Sequence, residues 1–174
     1  MTLGDATAAA GAAAGIGGLA YEIRSAVGAA DREACFAVRR QVFVAEQQVP
    51  GDLEFDSHDA LGAAAAHVLA VRDDGVPLGT SRLLYGPEAA DRTDGDPTVG
   101  SLGRLAVVKE ARGLRVGVAL VRAVEDLARE RGLLVVDLHA QTRALGFYER
   151  LGYEAYGPEY ESVGIPHRGM RRAL

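Results

Sequence analysis

One stretch, residues 101–139, constrains this chain more than any other, because its hydrophobic period changes twice in a short span. Residues 101–108 read as a strand, 110–117 as a tight turn, and 118–131 as a helix. Residues 133–139 read as a second strand, apolar without a break from Leu133 to Val136, the mark of a strand buried on both faces. Within the helix, Leu120, Ala123, Val124 and Leu127 fall on one face, and Arg122, Glu125, Asp126 and Arg129 on the other. Glu125 and Arg129 are spaced as an i,i+4 ion pair. Strand, helix and strand at this spacing join two parallel strands by a right-handed crossover. The fold class is therefore mixed α/β.

The flanking segments supply the rest of a single domain. Residues 21–27 alternate apolar and polar, as a half-buried strand does. Asp31 can cap a helix in which Ala34, Cys35, Val38 and Val42 recur at helical spacing, running to residue 44. Residues 46–61 contain Pro50, Gly51 and the acidic run Asp52, Glu54, Asp56 and Asp59, and read as a solvated loop passing over a site. Residues 65–72 and 76–85 form a hairpin about Asp73-Asp74-Gly75. An exposed connection over 86–98 follows, with Pro87 and Pro97. A helix is expected over 142–150, closed by Gly152 in a left-handed cap, with late strands over 153–156 and 166–172. Residues 1–19 are rich in Ala and Gly and lack periodicity, so they are expected to form a disordered tail before a domain over 20–174.

Composition narrows the function. At 174 residues the chain suits one domain, and a formal net charge of -5 argues against a nucleic-acid binder that relies on phosphate neutralisation. Cys35 is the only cysteine, so neither an intramolecular disulfide nor a cysteine zinc site can form. The first residues carry Asp5 and lack both a basic segment and a leucine-rich run, unlike a secretory signal. No other apolar run approaches the roughly 18 residues of a membrane span. These readings favour a cytoplasmic protein with a small-molecule partner and no membrane.

The turn over 109–117 carries the chemistry. Here the chain leaves a buried strand and enters a helix, so backbone N–H groups and the positive end of the helix dipole face one spot. Arg112 and Arg115 add charge, while Gly113 and Gly117 allow close approach of an anion. The Lys-Ser/Thr pair of a P-loop and the three-glycine spacing of a dinucleotide fingerprint are missing, which argues against ATP and NAD.

Two blocks flank this turn, Leu102-Gly103-Arg104-Leu105-Ala106-Val107 before it and Ala144-Leu145-Gly146-Phe147-Tyr148-Glu149-Arg150-Leu151-Gly152-Tyr153 after it. Together they resemble the signature blocks of the GNAT superfamily of acetyl-CoA-dependent N-acetyltransferases. Val38-Arg39-Arg40-Gln41-Val42-Phe43-Val44-Ala45-Glu46-Gln47 and Gly164-Ile165-Pro166-His167-Arg168-Gly169-Met170 resemble its ElaA-like branch. The resemblance spans residues 21–174 and implies a mostly antiparallel sheet whose parallel middle strands splay. It also implies acetyl transfer from the cosubstrate acetyl-CoA to a primary amine of a small molecule or peptide, in a ternary complex and without a metal, and it allows a homodimer. The alternative on the same fold is a non-catalytic acyl-CoA sensor.

The same resemblance assigns roles. The loop from Arg112 through Gly113, Leu114, Arg115, Val116 and Gly117 to Val118 is expected to grip the coenzyme pyrophosphate through its N–H groups. The backbone of Leu105, Ala106 and Val107 is expected to lie along the pantetheine arm and polarise the thioester carbonyl. Gln141 stands where many relatives have a coenzyme-contacting Asn, and Tyr148 where a tyrosine protonates the departing thiolate. Arg115 replaces the first loop glycine; either it swings outward to bind a phosphate, or it weakens coenzyme binding. For the base that deprotonates the acceptor, Glu46 ranks first and His167 second, with His139 a rival. His58 and the neighbouring aspartates are not assigned to a metal.

Overall fold

The computed structural model describes residues 20–174; the tail expected over residues 1–19 lies outside them. Seven strands form one sheet: β1 (Tyr21–Ser25), β2 (Ala65–Arg72), β3 (Pro77–Leu84), β4 (Val99–Val107), β5 (Val135–Gln141), β6 (Glu154–Ser162) and β7 (Ile165–Ala173). Their spatial order is β1-β2-β3-β4-β5-β7-β6, and only β4 and β5 run parallel. The helices are α1 (Ala29–Arg39), α2 (Gly51–Glu54), α3 (Ala90–Thr93), α4 (Val116–Glu130) and α5 (Leu145–Glu149). No helix among the described residues is long and apolar enough to cross a membrane.

Two helices cover the sheet from opposite sides. Val116, Leu120, Val121, Val124 and Ala128 of α4 are buried in one core with Val68 and Ala70 of β2. Leu69 and Val71, which alternate with them along the strand, pack instead around Cys35 of α1. Gly79 lets α4 settle onto β3, because a Cβ there would lie 2.8 Å from Leu120 Cδ1 and 2.9 Å from the Ala106 carbonyl oxygen.

The central pair parts as expected. β4 and β5 pair from Val99 with Val135 to Leu102 with Leu138, and no further. Beyond that point β4 stays with β3 and β5 stays with β7, so a wedge opens between two strands that began side by side. A register shift between β3 and β4, with Arg104 at φ 54°, adds a bulge where the wedge starts.

Several local expectations need correction. Gly28, not Asp31, is the N-cap of α1; the Asp31 carboxylate accepts from Arg24 at 2.9 and 3.0 Å instead. The α-helix ends at Arg39, and a π-helical turn over Arg40–Glu46 carries the chain onward. Residues 86–98 are not wholly an exposed connection, since α3 lies there with Thr93 buried beside Ala89. Glu125 does not pair with Arg129. It is fully buried and meets Arg122, Arg172 and the Tyr153 hydroxyl, while Arg129 pairs with Asp126. The last two strands are each longer than their patterns suggested.

The acidic run of residues 52–59 is largely not solvated. Arg39 reaches Glu54 Oε1 at 2.8 Å and Asp59 Oδ1 at 2.6 Å, and Arg82 reaches Asp56 at 2.8 Å and Asp59 at 2.9 Å. The Nε and Nη2 atoms of Arg104 donate to the Glu54 carbonyl at 3.1 and 3.0 Å. Three arginines thus hold three carboxylates under α1, and every charge has a close partner of opposite sign. The net effect is to pin the segment over the sheet.

Candidate active site

The wedge between β4 and β5 opens into a cleft of about 870 Å³. Its walls hold most of the residues singled out by sequence: Leu105, Ala106 and Val107 on β4, Gln141 on β5, and Tyr148 on α5. Arg112, Gly113, Arg115, Val116, Gly117 and Val118 form one end, and Glu46 and His167 stand on the walls. Leu114 differs, because its side chain packs on the core rather than lining the cleft.

At the loop end, helix geometry supplies the donors. Arg115 is the N-cap of α4 and makes no side-chain cap, and the first intrahelical bond runs from Ala119 N to the Arg115 carbonyl at 3.1 Å. The N–H groups of Val116, Gly117 and Val118 therefore have no partner inside the helix, at its positive end. The helix starts at Val116, two residues earlier than its pattern suggested, so all three belong to its first turn. Arg115 has φ 62° and ψ 14°, a left-handed conformation that glycine adopts without strain. Gly117 is close to Phe147; a Cβ there would lie 3.4 Å from its ring.

Arg112 is already engaged. Its guanidinium holds both Glu46 oxygens, at 2.5 and 2.8 Å, and donates from Nε to the Val107 carbonyl at 3.1 Å. The hydrogen bond from Arg112 holds the Glu46 carboxyl below its ordinary value. Gln141 is also paired, donating to Gln47 Oε1 at 2.8 Å and accepting from Arg143 Nε at 2.8 Å.

Tyr148 is buried at the cleft wall with Phe147 and Tyr153 edge-on to its ring. Burial pushes its phenol well above the usual value, and no other group among the described residues offsets this. The phenol is thus neutral and carries its proton at physiological pH. His167 Nδ1 donates to the Ile165 carbonyl at 2.7 Å, which leaves Nε2 as an acceptor.

Sequence reasoning missed some groups that line the cleft, among them Glu54, Arg82 and Arg104. Arg104 lies inside the first signature-like block, but nothing in its neighbours announced the positive φ that turns it toward Glu54.

Comparison with known proteins decides the family. Residues 32–153 match the Acetyltransferase (GNAT) family. The chain belongs to the GNAT family. Among its relatives, this GNAT chain is 35% identical to YjcF, an uncharacterized N-acetyltransferase of Bacillus subtilis, over 79% of this chain and 89% of that protein. An acyl-CoA N-acyltransferase from Pseudomonas aeruginosa shares the GNAT fold with a TM-score of 0.71 and 32% identity, covering 89% of this chain and 99% of that one. Escherichia coli ElaA superposes with a TM-score of 0.74 at 26% identity, covering 87% and 99% of the two chains. As a GNAT protein the chain takes an acyl-CoA donor and passes the acyl group to a second substrate.

Proposed function

We propose that this GNAT protein is a cytoplasmic N-acetyltransferase, moving the acetyl group of acetyl-CoA directly onto a primary amine of a small molecule or peptide. The free N–H groups of Val116, Gly117 and Val118 bind the pyrophosphate. The edge of β4 from Leu105 to Val107, released by β5, runs beside the pantetheine arm, and an N–H there stabilises the oxyanion that forms on the thioester carbonyl. Glu46 engages the Arg112 guanidinium at the coenzyme end and competes with the coenzyme for it; a carboxylate already bound at both oxygens by a guanidinium is a poor proton acceptor. Deprotonation of the acceptor falls to the β5–β7 side of the cleft, where His139 and His167 stand.

Tyr148 carries this reading. A neutral phenol, buried on the wall that the released strand edge shares, can protonate a departing thiolate and has no need of that position in a protein that only binds acyl-CoA. The test is thiol release from acetyl-CoA across polyamines, amino sugars, amino acids and peptides. Tyr148→Phe should lower kcat by about 100-fold while leaving the coenzyme Kd within twofold or so. A Tyr148→Phe enzyme with full kcat would remove Tyr148 from the chemistry.

A further inference from the structure

β5 turns Val136, Leu138 and Ala140 into the core and puts Asp137, His139 and Gln141 on the opposite face. Asp137 is fully buried there, and its two oxygens differ. Oδ2 accepts from the Tyr156 hydroxyl at 2.6 Å and from Arg171 Nε at 2.7 Å. Oδ1, also buried, has no hydrogen-bond partner among the described residues and lies 3.5 Å from His139 Nε2. At the far side of that imidazole, Nδ1 is 2.5 Å from the Tyr160 hydroxyl.

The two tyrosines reach β5 because β6 is bulged. Tyr156 pairs with Gly169 and Tyr160 with His167, so four steps along β6 span only two along β7. Both rings then lean across β7. A Cβ on residue 169 would lie 2.6 Å from the Tyr156 ring, so glycine is required beneath it. Tyr160 stacks on His167, with ring centroids 5.9 Å apart, and so sits between two histidines that line the cleft.

Resting on the acetyl-transfer reading above, we infer that Asp137, His139 and Tyr160 form the relay that removes the proton from the acceptor's ammonium group. His139 keeps its proton on Nε2, toward Asp137 Oδ1, and its Nδ1 lone pair accepts the Tyr160 O–H. The acceptor ammonium gives one proton to the Tyr160 oxygen as Tyr160 passes its own to Nδ1. The amine becomes neutral, and the imidazolium that forms faces the Asp137 carboxylate. The amine then attacks the thioester carbon, the C–S bond breaks, and the second amine proton ends on the coenzyme sulfur by way of Tyr148. His139, whose side chain is 41% exposed, returns its proton to water.

Asp137 is a positioning residue. The titratable and charged groups about the ring are Asp137 on β5, the neutral phenols of Tyr156 and Tyr160 on β6, His167 and Arg171 on β7, and Arg92, which acts on Tyr160 from α3. Arg171 is itself neutralised by Asp137 and Asp94. His167 has no carboxylate within ion-pair distance among the described residues, and its Nδ1 is held by the Ile165 carbonyl.

Two measurements test the relay. Nitrogen-15 NMR of the imidazole side chains should find neutral His139 in the Nε2–H tautomer, and the Nδ1–H tautomer would overturn the proposal without touching the acetyl-transfer reading. In thiol-release assays over the same amine panel, His139→Gln and Tyr160→Phe should each lower kcat at neutral pH by about 100-fold. The variants should recover toward alkaline pH, where the amine deprotonates unaided, with calorimetric acetyl-CoA binding preserved. His167→Gln should lose less than about tenfold and keep the acid limb of the pH profile. An unchanged profile in His139→Gln, or loss of the acid limb in His167→Gln alone, would overturn the relay. Failure of the wild-type protein to release thiol with any amine would overturn the acetyl-transfer reading and the relay with it.

Discussion

Among the described residues, five non-glycine positions have positive φ, and three of them, Arg104, Arg115 and Val163, line the cleft. Backbone strain gathered in one place costs stability and is retained where the geometry serves the site. Arg115 makes the trade testable. Glycine suits its φ of 62°, so Arg115→Gly should stabilise the fold by about 0.5–1 kcal/mol, seen as a melting temperature raised by about 2 °C. It also removes a cation beside three N–H groups that have no partner inside the helix, so acetyl-CoA should bind about tenfold more weakly by calorimetry. Tighter binding in the glycine variant would mean that the side chain obstructs the pyrophosphate. At this scale the sequence was informative wherever a position is chemically singular: Tyr148, Gly117 and the loop donors all stand in the cleft. It was silent about Asp137 and Tyr160, because their meeting with His139 depends on strands that pair across the sheet.

At the scale of elements, the π-helical turn over Arg40–Glu46 links the two halves of the cleft. It carries Glu46 out to Arg112 on the β4–α4 loop, sixty-six positions away in the chain. Glu46→Gln should free that guanidinium for the coenzyme, tightening acetyl-CoA binding by about threefold to tenfold, with kcat changed by less than about threefold and the pH profile retained. A loss of the acid limb would instead make Glu46 the base. Elements with a strong period, such as β2, β3 and α4, were legible in sequence to within two residues or so. Others were obscured by identifiable competition. Asp31 looks like a cap but is drawn to Arg24, and Gly157-Pro158 reads as the end of a strand although both sit in the bulge of β6. The acidic run looked solvated because nothing local reveals that Arg82 of β3 and Arg104 of β4 meet it from the sheet.

For the molecule as a whole, the charge cluster under α1 ties the cleft to acid stability. His67 is buried beside it, with neither ring nitrogen hydrogen-bonded among the described residues, and burial lowers its pKa to about 4. The unfolded chain binds this proton near pH 6.5 and the folded chain does not, so stability falls as pH drops through that interval. The His67 share is about 3 kcal/mol by pH 4. His67→Leu should flatten the slope of denaturant-measured stability between pH 6.5 and 4, and an unaltered slope would exclude His67 as its source. Asp56 and Asp59, held below the usual carboxylate value against desolvation by Arg82 and Arg39 respectively, add a further loss only at lower pH. The parallel pair was readable from the strand–helix–strand unit, and its splay was implied by the family resemblance that the two flanking blocks carry; the buried cluster that braces them was not legible. The wedge between β4 and β5 is proposed to bring acetyl-CoA and an amine together for transfer. Mass spectrometry of reactions containing the wild-type protein, acetyl-CoA and the amine panel tests it most directly. The expected result is an acetylated amine formed in equal amount with free coenzyme A; coenzyme binding with no acetylated product from any amine would contradict it.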